Sequence, residues 1–169
     1  MGPPPTARDP LAAGRPPRPL AAGAAPSTAS DISKAGMDTA PLSVLLVDDY
    51  PDGADALAML VESFGHPTRV AYSAAEARRM AADGFRPDAL IVDVQLGKEC
   101  GYDLARDLCA ALVARPLLVA VTGRQGLAEQ SRAEGFDHHF LKPTDLSALR
   151  RALADHAARV EPVSTVPGE

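Results

Sequence analysis

Five residues of this chain have types and spacings that could do chemistry together: the adjacent pair Asp48-Asp49, then Asp93, Thr122 and Lys142. Two adjacent carboxylates repel. At an effective dielectric near 20, unit charges about 4 Å apart interact by roughly 4 kcal/mol, so a site built on them wants a cation or a proton. A third carboxylate makes a set of hard oxygen donors suited to Mg2+, which takes oxygen ligands and keeps several waters. Lys142 and Thr122 would add a point charge and a hydroxyl donor, the groups that phosphoryl oxygens require as charge develops in transfer. In such a site Asp93 is the natural nucleophile, attacking phosphorus in line, and Lys142 pairs with the new phosphate. Taken singly, each residue also has an ordinary structural explanation: an aspartate that caps a helix, a threonine that suits a strand, a lysine solvated at a rim.

The elements that must position these residues can be read from the apolar pattern. The run VLLV before Asp48-Asp49 cannot be exposed without cost, so it reads as a strand buried on both faces. Leu57, Leu60, Val61 and Phe64 recur at helical spacing and stop at Gly65 and Pro67. A short strand around Arg69 to Tyr72 follows, and Ser73 with Glu76 forms a capping-box pattern for an alanine-rich helix ending near Gly84. ALIVD is a second buried strand and ends in Asp93. The loop 94–101 leads to a helix with Leu104, Leu108, Ala111 and Leu112 on one face, stopped before Pro116. LLVAVT ends in Thr122. The helix after Gly126 has only Leu127 and Ala133 as apolar anchors, which marks it as an element free to move. A last strand, His138 to Leu141, ends at Lys142-Pro143, and Leu146, Leu149 and Leu153 mark a closing helix to about Arg159.

Strands alternating with helices from Leu42 to Arg159 predict an α/β fold with a doubly wound parallel sheet and helices on both faces. In such a sheet ligands bind outside the carboxyl ends of the strands, where strand order reverses. All five chemical residues occupy those ends, on four separate strands, and so converge on one pocket.

Bulk properties narrow the function. With 169 residues, one domain with a real core is expected. A net charge of −5 without a basic cluster disfavours nucleic-acid binding. Two cysteines, Cys100 and Cys109, are too few for a disulfide framework, no apolar run approaches membrane-spanning length, and no secretory signal is evident, so a cytoplasmic protein with no membrane role is expected. Residues 1–41 hold nine of the sixteen prolines and ten alanines but none of the seven aromatic residues, which predicts a disordered or partly polyproline-II arm. A true start at Met37 would remove most of it. Residues 160–169 read as a flexible tail, leaving no room for an output domain.

The ordered set of residues resembles the receiver domain of two-component response regulators: an Asp-Asp pair after the first strand, a phosphoacceptor aspartate after the third, Thr or Ser after the fourth and Lys-Pro after the fifth. Here these are Asp48, Asp49, Asp93, Thr122, Lys142 and Pro143. The resemblance covers 42–159 and includes the spacings, 44 residues from Asp49 to Asp93 and 49 from Asp93 to Lys142. It implies a flavodoxin-like, five-stranded sheet of order 2-1-3-4-5. It also implies Mg2+ held by Asp48, Asp49, Asp93 and the main-chain carbonyl of Gln95, and a cis Lys142-Pro143 bond. The expected function is a single-domain response regulator: Asp93 accepts a phosphoryl group from a sensor histidine kinase or histidine phosphotransfer protein. Output to an unnamed downstream protein would pass through the fourth helix, fifth strand and fifth helix, with Thr122 and His139 as switch residues. Such a protein is not an enzyme on other substrates; it catalyses only its own phosphorylation and dephosphorylation. The stretch GFDHHFLKP is similar to receivers that serve hybrid kinases or stand alone.

Departures from the family pattern are local. Leu96-Gly97 replaces a usual Leu-Pro, and Gly97 is expected to loosen the loop. Cys100 before Gly101 is either a redox handle or a small buried residue. His139 stands where Tyr or Phe is usual: turned inward it would have to be neutral and would weaken toward pH 5.5, whereas turned outward it is a surface residue. The alternative function is a phosphorylation-independent pseudo-receiver acting as an interaction module, which predicts loss of a site residue, and none is lost. A flavodoxin-like redox or nucleotide-binding protein is disfavoured because Asp48-Asp49-Tyr50 replaces a phosphate-cradling loop. A true hydrolase would show turnover rather than a single stoichiometric phosphorylation.

Overall fold

Strand β1 (Val44–Val47) sends alternate side chains to two apolar layers, because successive residues of a strand point to opposite faces. Val44 and Leu46 join one layer, Leu45 and Val47 the other, and all four are buried. The computed structural model of the chain describes residues 40–160; the arm expected before Leu42 and the tail after Val160 lie outside these residues almost entirely.

Helix α1 (Pro51–Ser63), strand β2 (Thr68–Ala71), helix α2 (Ala74–Ala82) and strand β3 (Ala89–Asp93) follow. Then come the two-residue strands β4 (Gln95–Leu96) and β5 (Glu99–Cys100), helix α3 (Gly101–Ala110), strand β6 (Leu117–Thr122), helix α4 (Ala128–Ala133), strand β7 (His138–Leu141) and helix α5 (Leu146–Arg159). The main sheet is parallel with order β2-β1-β3-β6-β7, which is 2-1-3-4-5 when its five strands alone are counted. Helices α1 and α5 cover one face, with Ala54, Ala58, Val61, Leu149 and Leu153 against Leu46, Ile91 and Val119. Helices α2 and α3 cover the other, with Ala77, Leu104 and Leu108 against Leu45, Leu90 and Leu118.

Several local expectations need correction. On α1 the buried stripe is Ala54, Ala58 and Val61, while Leu60 is 37% exposed and Leu57 and Phe64 are half-buried. Alanines supply most of the stripe that packs on the sheet there. On α3 the helix starts at Gly101 and ends at Ala110, so Tyr102, Leu104, Ala105 and Leu108 are buried and Ala111 is exposed. Ser73 caps α2 as expected, accepting from the Glu76 N–H (3.1 Å), but Glu76 reaches back to the Tyr72 N–H (3.0 Å) rather than to that of Ser73.

The segment 94–101 is not an open loop. Strands β4 and β5 pair antiparallel, Gln95 with Cys100 and Leu96 with Glu99, around Gly97-Lys98. Gly97 has φ +59° and Lys98 does not have positive φ, the pattern of a type II′ hairpin turn. The glycine expected to loosen the segment is the residue that lets it turn. Arg78 of α2 clasps the hairpin from outside, 2.7 Å from Glu99 and 3.0 Å from Asp107 of α3. Cys100 is exposed, not buried, and Cys109 is half-buried, where burial pushes its thiol pKa up.

Candidate phosphoacceptor site

The carboxyl ends of β1, β3, β6 and β7 meet at one rim of the sheet. Asp93 (7% exposed) ends β3, Asp48 (5%) follows β1 and Thr122 (0%) ends β6. Lys142 follows β7, and its N–H donates to the Thr122 carbonyl (2.9 Å). Its ammonium reaches across the rim and donates to Asp48 Oδ2 and Asp93 Oδ2, both at 2.6 Å. The Lys142-Pro143 bond is cis.

Each remaining oxygen is placed by the backbone. Asp93 Oδ1 accepts from the Gln95 N–H (2.8 Å) and Asp48 Oδ1 from the Tyr50 N–H (3.0 Å). Thr122 Oγ1 accepts from the Arg124 N–H (3.1 Å), which leaves the hydroxyl's own proton free to donate. Asp49 is exposed at the mouth, and one oxygen each of Asp48, Asp49 and Asp93 lie within 4.8 Å of one another.

The electrostatics are unbalanced. Burial pushes the Asp93 carboxyl up from its ordinary value and the charge of Asp48 adds to this, against the lowering influence of Lys142 and the Gln95 N–H. Burial lowers Lys142, but its hydrogen bonds to Asp48 and Asp93 outweigh that and raise it. Three formal carboxylate charges face one ammonium, and all the candidate ligands are oxygens. A hard divalent cation fits that donor set.

The structure brings together Asp48, Asp93 and Lys142 in direct contact, with Asp49 and Thr122 beside them. Gln95 contacts Asp93 through its N–H. His139 lies on β7, away from these carboxylates and half-buried, with Nδ1 2.7 Å from Ser131 Oγ. Which of the two atoms donates depends on the tautomer of the ring. Ser131 was not visible as an anchor in the sequence: it is the buried residue of α4, whereas Ala133 is exposed. The closeness of Gly101 to the acceptor also needed the structure. A Cβ built there would lie 2.1 Å from the Asp93 carbonyl oxygen. Beside Asp48 and Lys142 an apolar groove of about 380 Å³ opens between α1 and the start of α5, lined by Tyr50, Leu57, Leu60, Pro143 and Leu146. No helix among the described residues is long and apolar enough to cross a membrane.

Comparison with known proteins identifies the family of the chain. Residues 44–154 match the family model described as the response regulator receiver domain. The sensory transduction protein LytT of Enterococcus faecalis is 36% identical over 114 residues, covering 66% of this chain and 46% of LytT. An uncharacterised 14.6 kDa protein of Leptolyngbya boryana is 26% identical over 126 residues, covering 73% of this chain and 95% of its own length. A solved response regulator from Burkholderia pseudomallei, described with a phosphorylated aspartic acid, a calcium ion and citrate, has a TM-score of 0.60 and 28% identity, covering 70% of this chain and 69% of that one. The chain spans about half the length of LytT and of most of the curated relatives it matches. With the family model matching most of the described residues and the acidic rim assembled at the strand ends, the chain belongs to the response regulator receiver domain family.

Proposed function

We propose that this chain accepts a phosphoryl group on Asp93 from a phosphohistidine of a sensor histidine kinase or phosphotransfer protein. The observation that carries the reading is the contact of one buried carboxylate, Asp93, with the Lys142 ammonium and a second buried carboxylate, Asp48. Asp93 forms an O–P bond as the P–N bond to the donor imidazole breaks, and the electron pair leaves with that nitrogen. Lys142 is placed to transfer its hydrogen bond from Asp93 Oδ2 to a phosphoryl oxygen. Thr122 supplies the free hydroxyl proton to another. Asp48, Asp49, Asp93 and the main-chain carbonyl of Gln95 would hold Mg2+, which when bound supplies positive charge against the phosphoryl oxygens. The apolar groove beside the site offers the donor protein a surface to rest on.

The chain acts as a phosphoacceptor, not as an enzyme on other substrates, and its product is one phosphorylated aspartate per molecule. A relative of which nearly the whole length is covered supports a stand-alone regulator. Output would then leave through the face of α4, β7 and α5, with Thr122 and His139 as its switch residues. The test is phosphotransfer from a panel of phosphorylated histidine kinases. The parent is expected to be labelled once per chain in the presence of Mg2+, and Asp93→Asn or chelation of the metal should abolish labelling. Equal labelling of Asp93→Asn would refute the nucleophile assignment, and an unlabelled parent would favour the pseudo-receiver.

A further inference from the structure

Helix α4 is six residues long, and the buried residue that seats it is polar. Ser131 is 1% exposed, with Oγ 2.8 Å from the Tyr102 hydroxyl and 2.7 Å from His139 Nδ1. Tyr102 is itself 4% exposed and packs edge-on against Phe136, with ring centroids 5.4 Å apart. Among the helix's own residues Ser131 is the buried one; its other attachments lie at its ends, where Leu127 and Phe136 pack on the core and Glu134 pairs with Arg106 (2.7 Å).

The two partners of Ser131 belong to segments that carry site groups. Tyr102 follows Gly101, which is pressed against the Asp93 main chain and donates its N–H to the Val94 carbonyl (2.9 Å). His139 lies on β7, three residues before Lys142, and pairs in register with Ala120 of β6. Helix α4 itself continues the loop that begins at Thr122 and passes through Arg124, whose N–H is bonded to the Thr122 hydroxyl. One hydroxyl therefore ties together, on their far side, the three segments whose near ends are Asp93, Thr122 and Lys142.

We propose that Ser131 is a positioning residue, the node of a Tyr102–Ser131–His139 hydroxyl latch that holds α4 in its resting seat and must open before occupation of the Asp93 site can alter the α4 face. The proposal rests on the phosphoacceptor reading for its second half only. A ligand shifts such an equilibrium by its differential affinity for the two states, so a latch that favours the resting state weakens the apparent affinity of anything that requires the open one. Losing one neutral hydrogen bond should shift that balance by about fivefold.

The test uses the full chain and two variants. Ser131→Ala removes the node. Tyr102→Phe removes one arm but keeps the ring on Phe136, and so remains informative should the first variant fail to fold. Hydrogen exchange at residues 128–135 is expected to accelerate by about fivefold in Tyr102→Phe, which loses one hydrogen bond, and by more in Ser131→Ala, which loses both, while amides of β1, β3 and β6 exchange as in the parent. Titration with beryllofluoride and Mg2+, followed by NMR, should show tighter apparent binding by a similar factor. Unchanged exchange across α4 would overturn the latch. Accelerated exchange with unchanged or weaker beryllofluoride affinity would overturn its coupling to the site and leave Ser131 as a local prop. A parent that takes up no beryllofluoride would count against the phosphoacceptor reading, and exchange alone then decides the latch.

Discussion

Gly101→Ala tests how tightly the acceptor is built into the fold. The Cβ of alanine would meet the Asp93 carbonyl oxygen at 2.1 Å, its carbonyl carbon at 3.0 Å and Val92 Cγ1 at 3.0 Å. Real Cβ atoms essentially never approach closer than 3.0 Å, so the start of α3 and the end of β3 must part by roughly 0.9 Å. Two of the three obstructing atoms are backbone, and no rotamer change relieves them. Overpacking of this kind costs about 1–3 kcal/mol, and weakening the Gly101–Val94 hydrogen bond adds about 1 kcal/mol. At roughly 2–8 °C per kcal/mol for a folded unit of this size, the melting temperature should fall by on the order of 10 °C. The same displacement moves Asp93 relative to Lys142, and a misplacement near 1 Å can cost about a hundredfold in rate, so labelling by a phosphohistidine donor should slow at least tenfold. Calorimetry and a phosphotransfer time course measure the two effects. Gly123→Ala is the control for melting, since nothing lies within 4 Å of its Cβ. A Gly101→Ala protein that melts within about 2 °C of the parent and is labelled at the parental rate would refute the reasoning.

Three further outcomes are expected. His66 is 6% exposed and its Nδ1 accepts from the Leu42 N–H (3.2 Å), with burial holding its pKa below 6.5. The unfolded chain then binds a proton that the folded chain refuses, so stability is full above pH 6.5 and is lost as pH falls through the folded pKa. Urea midpoints between pH 7.5 and 5 should show this loss in the parent and a flatter profile in His66→Gln. Lys142→Ala leaves Asp48 and Asp93 facing each other without their ammonium and should cost about 1–2 kcal/mol after allowance for the exposure of the lysine, part of which adding Asp93→Asn restores. No gain in the double variant would mean that the carboxylates do not repel at this distance. A chain starting at Met37 should melt and be labelled like the full chain, because the core described between Leu42 and Ala157 is closed by its own helices; a large drop in melting temperature would show that the arm docks.

The strands and the chemical residues were legible in the sequence for one physical reason. A strand buried on both faces must be continuously apolar, so VLLV, ALIV and LLVAV stand out, and a polar residue at the end of such a run must lie at the rim. Asp48, Asp93 and Thr122 follow directly, and Lys142 follows from the shorter run before it. The helices were legible as elements but less so in orientation. On α1 the residues that face the sheet are mostly alanines, too small to announce themselves, while Leu60 is left at the edge of a groove.

The tertiary structure decided what depends on segments meeting across long separations. Gly97 as a hairpin turn required the pairing of Gln95 with Cys100, and the constraint on Gly101 required the Asp93 backbone behind it. Ser131 carries no signal in a polar stretch of sequence. Its partner Tyr102 is 29 residues away and His139 eight, and only the packing of α3, α4 and β7 places those three polar atoms within hydrogen-bonding distance. Periodicity reports which side of an element is buried, because burial is a property of one residue's surroundings on average. A hydrogen bond is a property of two particular atoms, and the chain must fold before they are neighbours.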